Sequence, residues 1–528
     1  MSDRDVIIVG GGHNGLVCAF YLARAGLKVT VLERRGVVGG AAVTEEFFPG
    51  FRNSVASYTV SLLNPKVIRD LELARHGLRV VNREMSNFLP VNDREYLAGT
   101  GADEIAKFSK KDADAFGAYS ARLDAIADML RELVLVTPPN LTEGGWTAAL
   151  PELLKGASLG RRLARLDLTG RRDLLSLFTQ SGGDWLDYWF ESDPIKAVLG
   201  FDSIVGNYAS PYTPGSAYVL LHHVFGEANG IRGAWGHAIG GMGAITQAMA
   251  AACREQGVDI RTDSAVKEIV VAKGRAMGVV TESGETLRAG RVVSNLNPKL
   301  LFGKMIDPAV LPADFRERIG RYRNGSGTFR MNVALSELPR FTCLPEPGPH
   351  LTAGIIMAPS LGYMDRAFTD ARMFGWSKAP IVEMLIPSTL DDTLAPKGRH
   401  VASLFCQHVA PEVAGGWDAH RDEVAKLMID TVDGFAPGFK NSVLGMQALS
   451  PLDLERVFGL VGGDIMHGRL ELDQMFSARP VLGHGNYRSP VKGLYMCGSG
   501  THPGGGVTGA PGHNAAREIL KDMRRRAR

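Results

Sequence analysis

Apolar positions near the start of the chain change period twice. Residues 6–9 are apolar without alternation, the pattern of a strand buried on both faces of a parallel sheet. Leu16, Phe20, Leu22 and Ala23 then recur at helical spacing, and Gly26 supplies a stop. Residues 28–32 read as a second strand with Glu33 at its carboxyl end. The order strand, turn, helix, strand predicts a βαβ unit.

Two distant segments carry related patterns. Residues 244–255 have helical spacing, Gly257 follows, and Val258 and Ile260 begin a strand. Ala265, Val266, Ile269 and Val271 lead to a turn at Gly274, and the chain continues as a strand-rich meander to "RVVSNLNP". Near the C-terminus, residues 494–497 form a short apolar strand, 504–506 are all glycine, and a helical pattern starts at 510–515. Between these, Leu123, Ile126, Leu130, Leu133 and Val134 share one helical face. The stretch "RRLARLDLTGRRDLLSLF" (161–178) mixes arginines with leucines, and Gly170 is expected to interrupt it. It reads either as an interfacial helix on anionic lipid or as the solvated face of a domain helix, and the second reading is favoured.

The turn of the first unit holds Gly10, Gly12 and Gly15 in a GxGxxG arrangement. The first glycine permits the tight turn, the second lets the backbone approach a pyrophosphate, and the third lets helix and strand pack closely. The helix N-terminus faces the negative charge. An acidic residue about 20 positions on accepts from an adenosine ribose, and Glu33 stands there. The motif predicts a dinucleotide pocket.

Composition narrows the class. A chain of 528 residues is too long for one simple core. Hydrophobic residues at 45% and charged residues at 22% are ordinary for a soluble protein, and a net charge of +3 gives no reason to expect a nucleic-acid partner. The five cysteines (Cys18, Cys253, Cys343, Cys406, Cys497) form no CxxC pair, so neither a redox disulfide nor a metal site is expected. Residues 1–5 are a short polar lead rather than a signal peptide, and the "MRRRAR" tail is expected to be solvated. No apolar run is long enough to span a membrane. These features point to a reducing compartment: cytoplasmic, with peripheral membrane contact or a mitochondrial site as further settings.

"ERRGVVGGAAVTEEFFPGFRNS" adds a second glycine pair, Gly39 and Gly40. Together with the 241–295 segment and "GLYMCGSGTHPGGGVTGAPGHNAAREIL", it makes the chain resemble the phytoene desaturase and carotenoid isomerase group of FAD oxidoreductases. "GGGHNGLVCAFYLARAGLKVTVLERR" and "GSGTHPGGGVTGAPGHNAA" narrow the resemblance to the branch that includes pyridine nucleotide-disulphide oxidoreductase domain-containing protein 2. The resemblance implies an α/β fold: a Rossmann-like FAD-binding domain (parallel sheet plus β-meander) with an inserted α+β substrate domain. The FAD domain would comprise 1–75, 230–300 and 485–528, and the substrate domain 76–229 and 301–484. It implies FAD contacts at Gly10, Gly12, Gly15, Glu33, Arg35, Gly39, Gly40, Val266 (backbone to the adenine edge), Ser499 (in place of the usual acidic residue at the ribityl chain) and Val507 (backbone to the flavin carbonyl). Ala41 stands where phytoene desaturases commonly have arginine, and "FRNSVAS" replaces their usual turn, so phytoene itself is not implied.

The implied function is hydride removal from an apolar, polyene or lipid-like substrate to flavin N5, with reoxidation by oxygen or a quinone. No second GxGxxG follows a strand, so no stably docked nicotinamide nucleotide is expected. His13, His237, His502 and His513 are the histidines expected near the flavin, the last three being weak catalytic candidates. Tyr58 and Trp235 are candidate flavin-facing aromatics. A flavin amine oxidase, and a regulatory or binding scaffold with or without flavin, stay open as alternatives.

Overall fold

The structure is a computed structural model that describes residues 4–140, 142 and 145–527. The polar lead over residues 1–3 and the last arginine of the tail lie outside the described residues.

Five strands form a parallel sheet in the order Asp259–Arg261, Val29–Leu32, Val6–Val9, Arg291–Ser294, Leu494–Met496. Val6–Val9 lies at its centre with every residue buried, as an unbroken apolar run requires. On one face pack the helices His13–Arg24, Met242–Glu255 and Ala510–Ala527, joined through Leu16, Ile245 and Ile519 in one apolar core. A three-stranded antiparallel meander, Val266–Ala272, Arg275–Thr281 and Thr286–Arg288, belongs to the core of the opposite face through Ile269, Val279 and Leu287. This is the Rossmann-like arrangement the βαβ pattern implied.

A second sheet has seven strands in the order Val443–Leu449, Phe329–Leu335, His400–Val409, Trp376–Leu385, Gly354–Met357, Asn87–Pro90, Tyr96–Ala98. Only the pairing of Gly354–Met357 with Asn87–Pro90 is parallel. Helix Trp417–Phe435 packs on one face through Val424, Met428 and Val432. The other face meets a helical layer that includes Lys110–Val134, Gly182–Trp189, Asp193–Phe201 and Ser216–Val224. Coverage on both sides explains why Phe329–Leu335 is buried at every position.

The arginine–leucine stretch differs from expectation. It spans two helices, Gly145–Leu163 and Leu168–Thr179, and the break lies at 164–167 rather than at Gly170. Asp167 is the cause: its carboxylate accepts the Gly170 N–H at 2.6 Å and starts the second helix. Arg162 and Arg165 reach Glu132, and Arg171 donates to the Leu166 and Ala164 carbonyls. No helix among the described residues is long and apolar enough to cross a membrane.

Candidate flavin site

The carboxyl ends of Val6–Val9 and Val29–Leu32 open onto a long cavity, the place where open α/β sheets bind ligands. Gly10, Gly12, Glu33, Arg35, Gly39, Gly40, Val266, Ser499 and Val507 all line it. Gly15 does not. It lies inside the first helix, where an added Cβ would stand 2.3 Å from the Gly10 carbonyl oxygen, so its task is the close approach of helix to turn. The second glycine pair is tied to the first turn by the Gly39 N–H, which donates to the Gly11 carbonyl at 2.9 Å.

Glu33 is 6% exposed and held by two main-chain donors. The Gly11 N–H donates to Oε2 at 2.8 Å, and the Arg35 N–H donates to Oε1 at 2.9 Å. Charge-assisted bonds of this kind fix the carboxylate at the end of its strand. The Arg35 guanidinium pairs with Glu45 at 2.7 Å, lies over the Phe458 ring, and keeps Nη1 buried without a partner. His13 also lines the cavity, and its Nε2 is buried and unpartnered. A bare glycine backbone, a fixed acid and an unsatisfied guanidinium N–H along one groove fit a dinucleotide.

At the opposite wall, the Ser499 hydroxyl accepts from the Asn14 side chain at 3.2 Å. The Ser499 carbonyl accepts from Arg479 Nη2 at 2.8 Å. Val507 lines the cavity with φ +56°, a left-handed conformation that is unusual for a β-branched residue and stores backbone strain beside the site.

The cavity lining also carries Tyr58 and Trp235, together with residues the sequence does not flag: Val205, His223, Ile465, Met466 and His467. His223 stacks on Trp235 with ring centroids 6.0 Å apart, and its Nδ1 lies 2.8 Å from the Val219 carbonyl. Burial pushes its pKa down. Behind this wall, the Tyr58 hydroxyl donates to Glu383 at 2.6 Å, while the Arg330 guanidinium stands 4.6 Å from the Tyr58 ring centroid. Burial raises the Glu383 pKa, against the pull of the Tyr58 hydroxyl, Arg83 and Arg330. One signal was available in the sequence: Arg330 and Glu383 are isolated charges inside apolar strand runs.

The structure places the three weak catalytic candidates outside the cavity lining. His237 is buried against Asp391, with Nε2 to Oδ2 at 2.9 Å. His502 Nε2 meets the Leu133 carbonyl at 3.2 Å, and His513 Nδ1 meets Asn514 at 2.9 Å. Each ring has a local hydrogen-bonding partner that accounts for it without a reaction.

Comparison with known proteins agrees with this geometry. The flavin containing amine oxidoreductase family matches residues 15–329. Pyridine nucleotide-disulfide oxidoreductase domain-containing protein 2 of Rattus norvegicus is 42% identical over 99% of this chain and 94% of its own. A limonene dehydrogenase component of Castellaniella defragrans is 26% identical over 98% of this chain and 95% of its own. A solved oxidoreductase from Methanosarcina mazei shares the fold, with a TM-score of 0.61 and 16% identity over 98% of this chain and 100% of its own. A pocket whose lining fits a dinucleotide and a family match that begins at Gly15 and runs through Val266 to residue 329 lead to one assignment: the chain belongs to the flavin containing amine oxidoreductase family and is an FAD-binding oxidoreductase.

Proposed function

We propose that the protein is an FAD-dependent dehydrogenase or redox isomerase that takes hydride from an apolar, isoprenoid-like substrate. The observation that carries this reading is the apolar part of the cavity lining, where Leu62, Val205, Trp235, Ile465 and Met466 join Gly506 and Val507. The relative named for dehydrogenating limonene supports the same substrate class. FAD supplies the two-electron acceptor when bound, and oxygen or a quinone takes the electrons onward. The chain's own part is to hold the substrate, exclude water and fix its orientation. In this reading residues 1–75, 230–300 and 485–528 serve the cofactor, and 76–229 with 301–484 serve the substrate. Gly10, Gly12, Glu33, Arg35, Gly39, Gly40, Val266, Ser499 and Val507 hold FAD, with Gly15 setting the turn.

The near-parallel His223 and Trp235 rings keep a second reading in view, an amine oxidase. Anaerobic mixing of the FAD-loaded protein with limonene, geraniol or putrescine separates the two. Bleaching of the flavin absorbance by an isoprenoid and not by putrescine is the expected result. Bleaching by putrescine alone overturns the proposal in favour of the amine reading.

A further inference from the structure

Arg479 is 0% exposed, and each of its hydrogen bonds ends on a main-chain carbonyl. Nε and Nη2 both donate to Ser499, at 3.0 and 2.8 Å. Nη2 also reaches Met466 at 2.7 Å and Gly468 at 3.2 Å, while Nη1 reaches Gln474 at 3.2 Å and Arg469 at 3.3 Å. Carbonyl dipoles solvate a guanidinium but leave its charge in place, and none of these bonds goes to a carboxylate. The acid whose charge acts on it is Asp464. That carboxylate is itself taken by the N–H groups of Gly325, Met466 and Gly468 and by the Asn324 side chain. Burial pushes the Asp464 pKa up, with Arg479 among the groups that oppose the rise.

The charge sits directly behind the cavity. Met466 and Ser499, whose carbonyls it grips, both line the pocket, and so does His467, the neighbour of Met466 in the chain. Its field reaches three segments: burial first, and Arg479 with it, keep the rings of His222, His467 and His502 neutral. The Tyr218 and Tyr322 hydroxyls also feel it. Inside a low-dielectric wall, such a fixed cation acts strongly on any group whose charge changes nearby.

Reduction adds negative charge to a flavin. We propose that Arg479 is the fixed cation that sets the reduction potential of the FAD in this cavity, favouring the reduced form. This rests on FAD occupying the cavity and is independent of the substrate. Arg479 itself does not line the pocket, so it is a positioning residue for charge rather than a catalytic one. The competing reading is a clamp that only fastens 466–474 to Ser499.

The two-electron potential of the FAD-loaded protein, read anaerobically against a reference dye, distinguishes the two. Arg479→Gln is expected to lower the equilibrium constant for reduction at least tenfold, about 30 mV for a two-electron couple. Arg479→Lys, which keeps the charge but cannot reproduce the bonds, is expected to stay within threefold of the parent. Asp464→Asn removes the opposing charge and is expected to shift the potential upward. Equal shifts in Arg479→Gln and Arg479→Lys, or a parental potential in Arg479→Gln, overturn the proposal and leave the clamp. Should Arg479→Gln fail to fold, an unshifted or lowered potential in Asp464→Asn overturns it as well.

Discussion

Tyr58 donates its hydroxyl hydrogen to Glu383 across 2.6 Å, and the two residues join the cavity wall to the seven-stranded sheet. Arg330 and Glu383 flank Phe405 from neighbouring strands, and Tyr58 stacks on that ring at 5.3 Å. Removing one member of a buried charge cluster leaves the others uncompensated. Glu383→Leu is therefore expected to cost about 3–5 kcal/mol in urea unfolding. Tyr58→Phe, which deletes a single bond to a charged group, is expected to cost about 1.5–3 kcal/mol. Equal effects in the two variants would show that Glu383 does not hold the arginines.

Glu33 is the acceptor for two main-chain N–H groups of the nucleotide turn. Glu33→Ala leaves both donors buried without a partner and removes the ribose acceptor. An increase of about tenfold to a hundredfold in the Kd for FAD is expected, or roughly 1.4–2.8 kcal/mol. Titration of the apoprotein with FAD, followed by quenching of flavin fluorescence, measures it. Unchanged affinity would remove Glu33 from the site.

The same substitution should act in opposite directions at two glycines. Gly15→Ala drives a methyl to 2.3 Å from the Gly10 carbonyl, a backbone atom that cannot swing aside. A loss of about 1–3 kcal/mol or more is expected, together with weakened FAD binding. At Gly117, inside helix Lys110–Val134, an added Cβ meets nothing within 4 Å. There alanine is expected to stabilise by up to about 1 kcal/mol through helix propensity. Thermal unfolding of the two variants side by side checks both signs.

Acid should destabilise the fold before carboxylates titrate. Burial lowers His13, His222 and His408 to about 3, and His467 and His502 to about 4. The ordinary histidine value is near 6.5, so the unfolded chain binds more protons than the native one below that pH. Stability from these rings is complete above about 6.5 and falls as pH drops toward 4, by up to about 1.4 kcal/mol per pH unit for each ring. The raised Glu383 pKa works the other way: native Glu383 holds its proton longer, so its share of stability falls as pH rises above the unfolded carboxyl value. Burial raises Asp464 in the same sense and Asp202 to about 8, so five rings stand against three carboxyls, and the unfolding midpoint should still decline from pH 7 to pH 5 at constant ionic strength. A flat profile would contradict the buried neutral state of the rings.

The nucleotide half was legible because its information is local. Strands buried on both faces write unbroken apolar runs, and the turn leaves no room for a side chain at Gly12 or Gly15, where an added Cβ would stand 2.7 and 2.3 Å from its neighbours. The seven-stranded sheet was not legible. It brings Asn87–Pro90 beside Gly354–Met357, a pairing that no periodicity encodes. For the same reason His223 and His467 meet one cavity, and Glu383 and Arg330 gather behind its Tyr58, from separate stretches of chain. At 161–178 the misreading was about competing local signals. Gly170 looked like a breaker, but a glycine in a first helical turn is tolerated, and the preceding Asp167 decided where the helix starts.

The edge strand Leu494–Met496 completes the parallel sheet beside Arg291–Ser294, and the last helix packs on the first. On the ribosome, the glycine turn near the N-terminus therefore emerges long before the walls that face it. Until residue 496 has been made, Arg291–Ser294 is an open sheet edge, the kind of surface that recruits chaperones or aggregates, and the pocket still lacks Ser499 and Val507. Capture of the cofactor waits for 494–507, and a premature stop anywhere upstream of 494 removes part of the pocket rather than a tail.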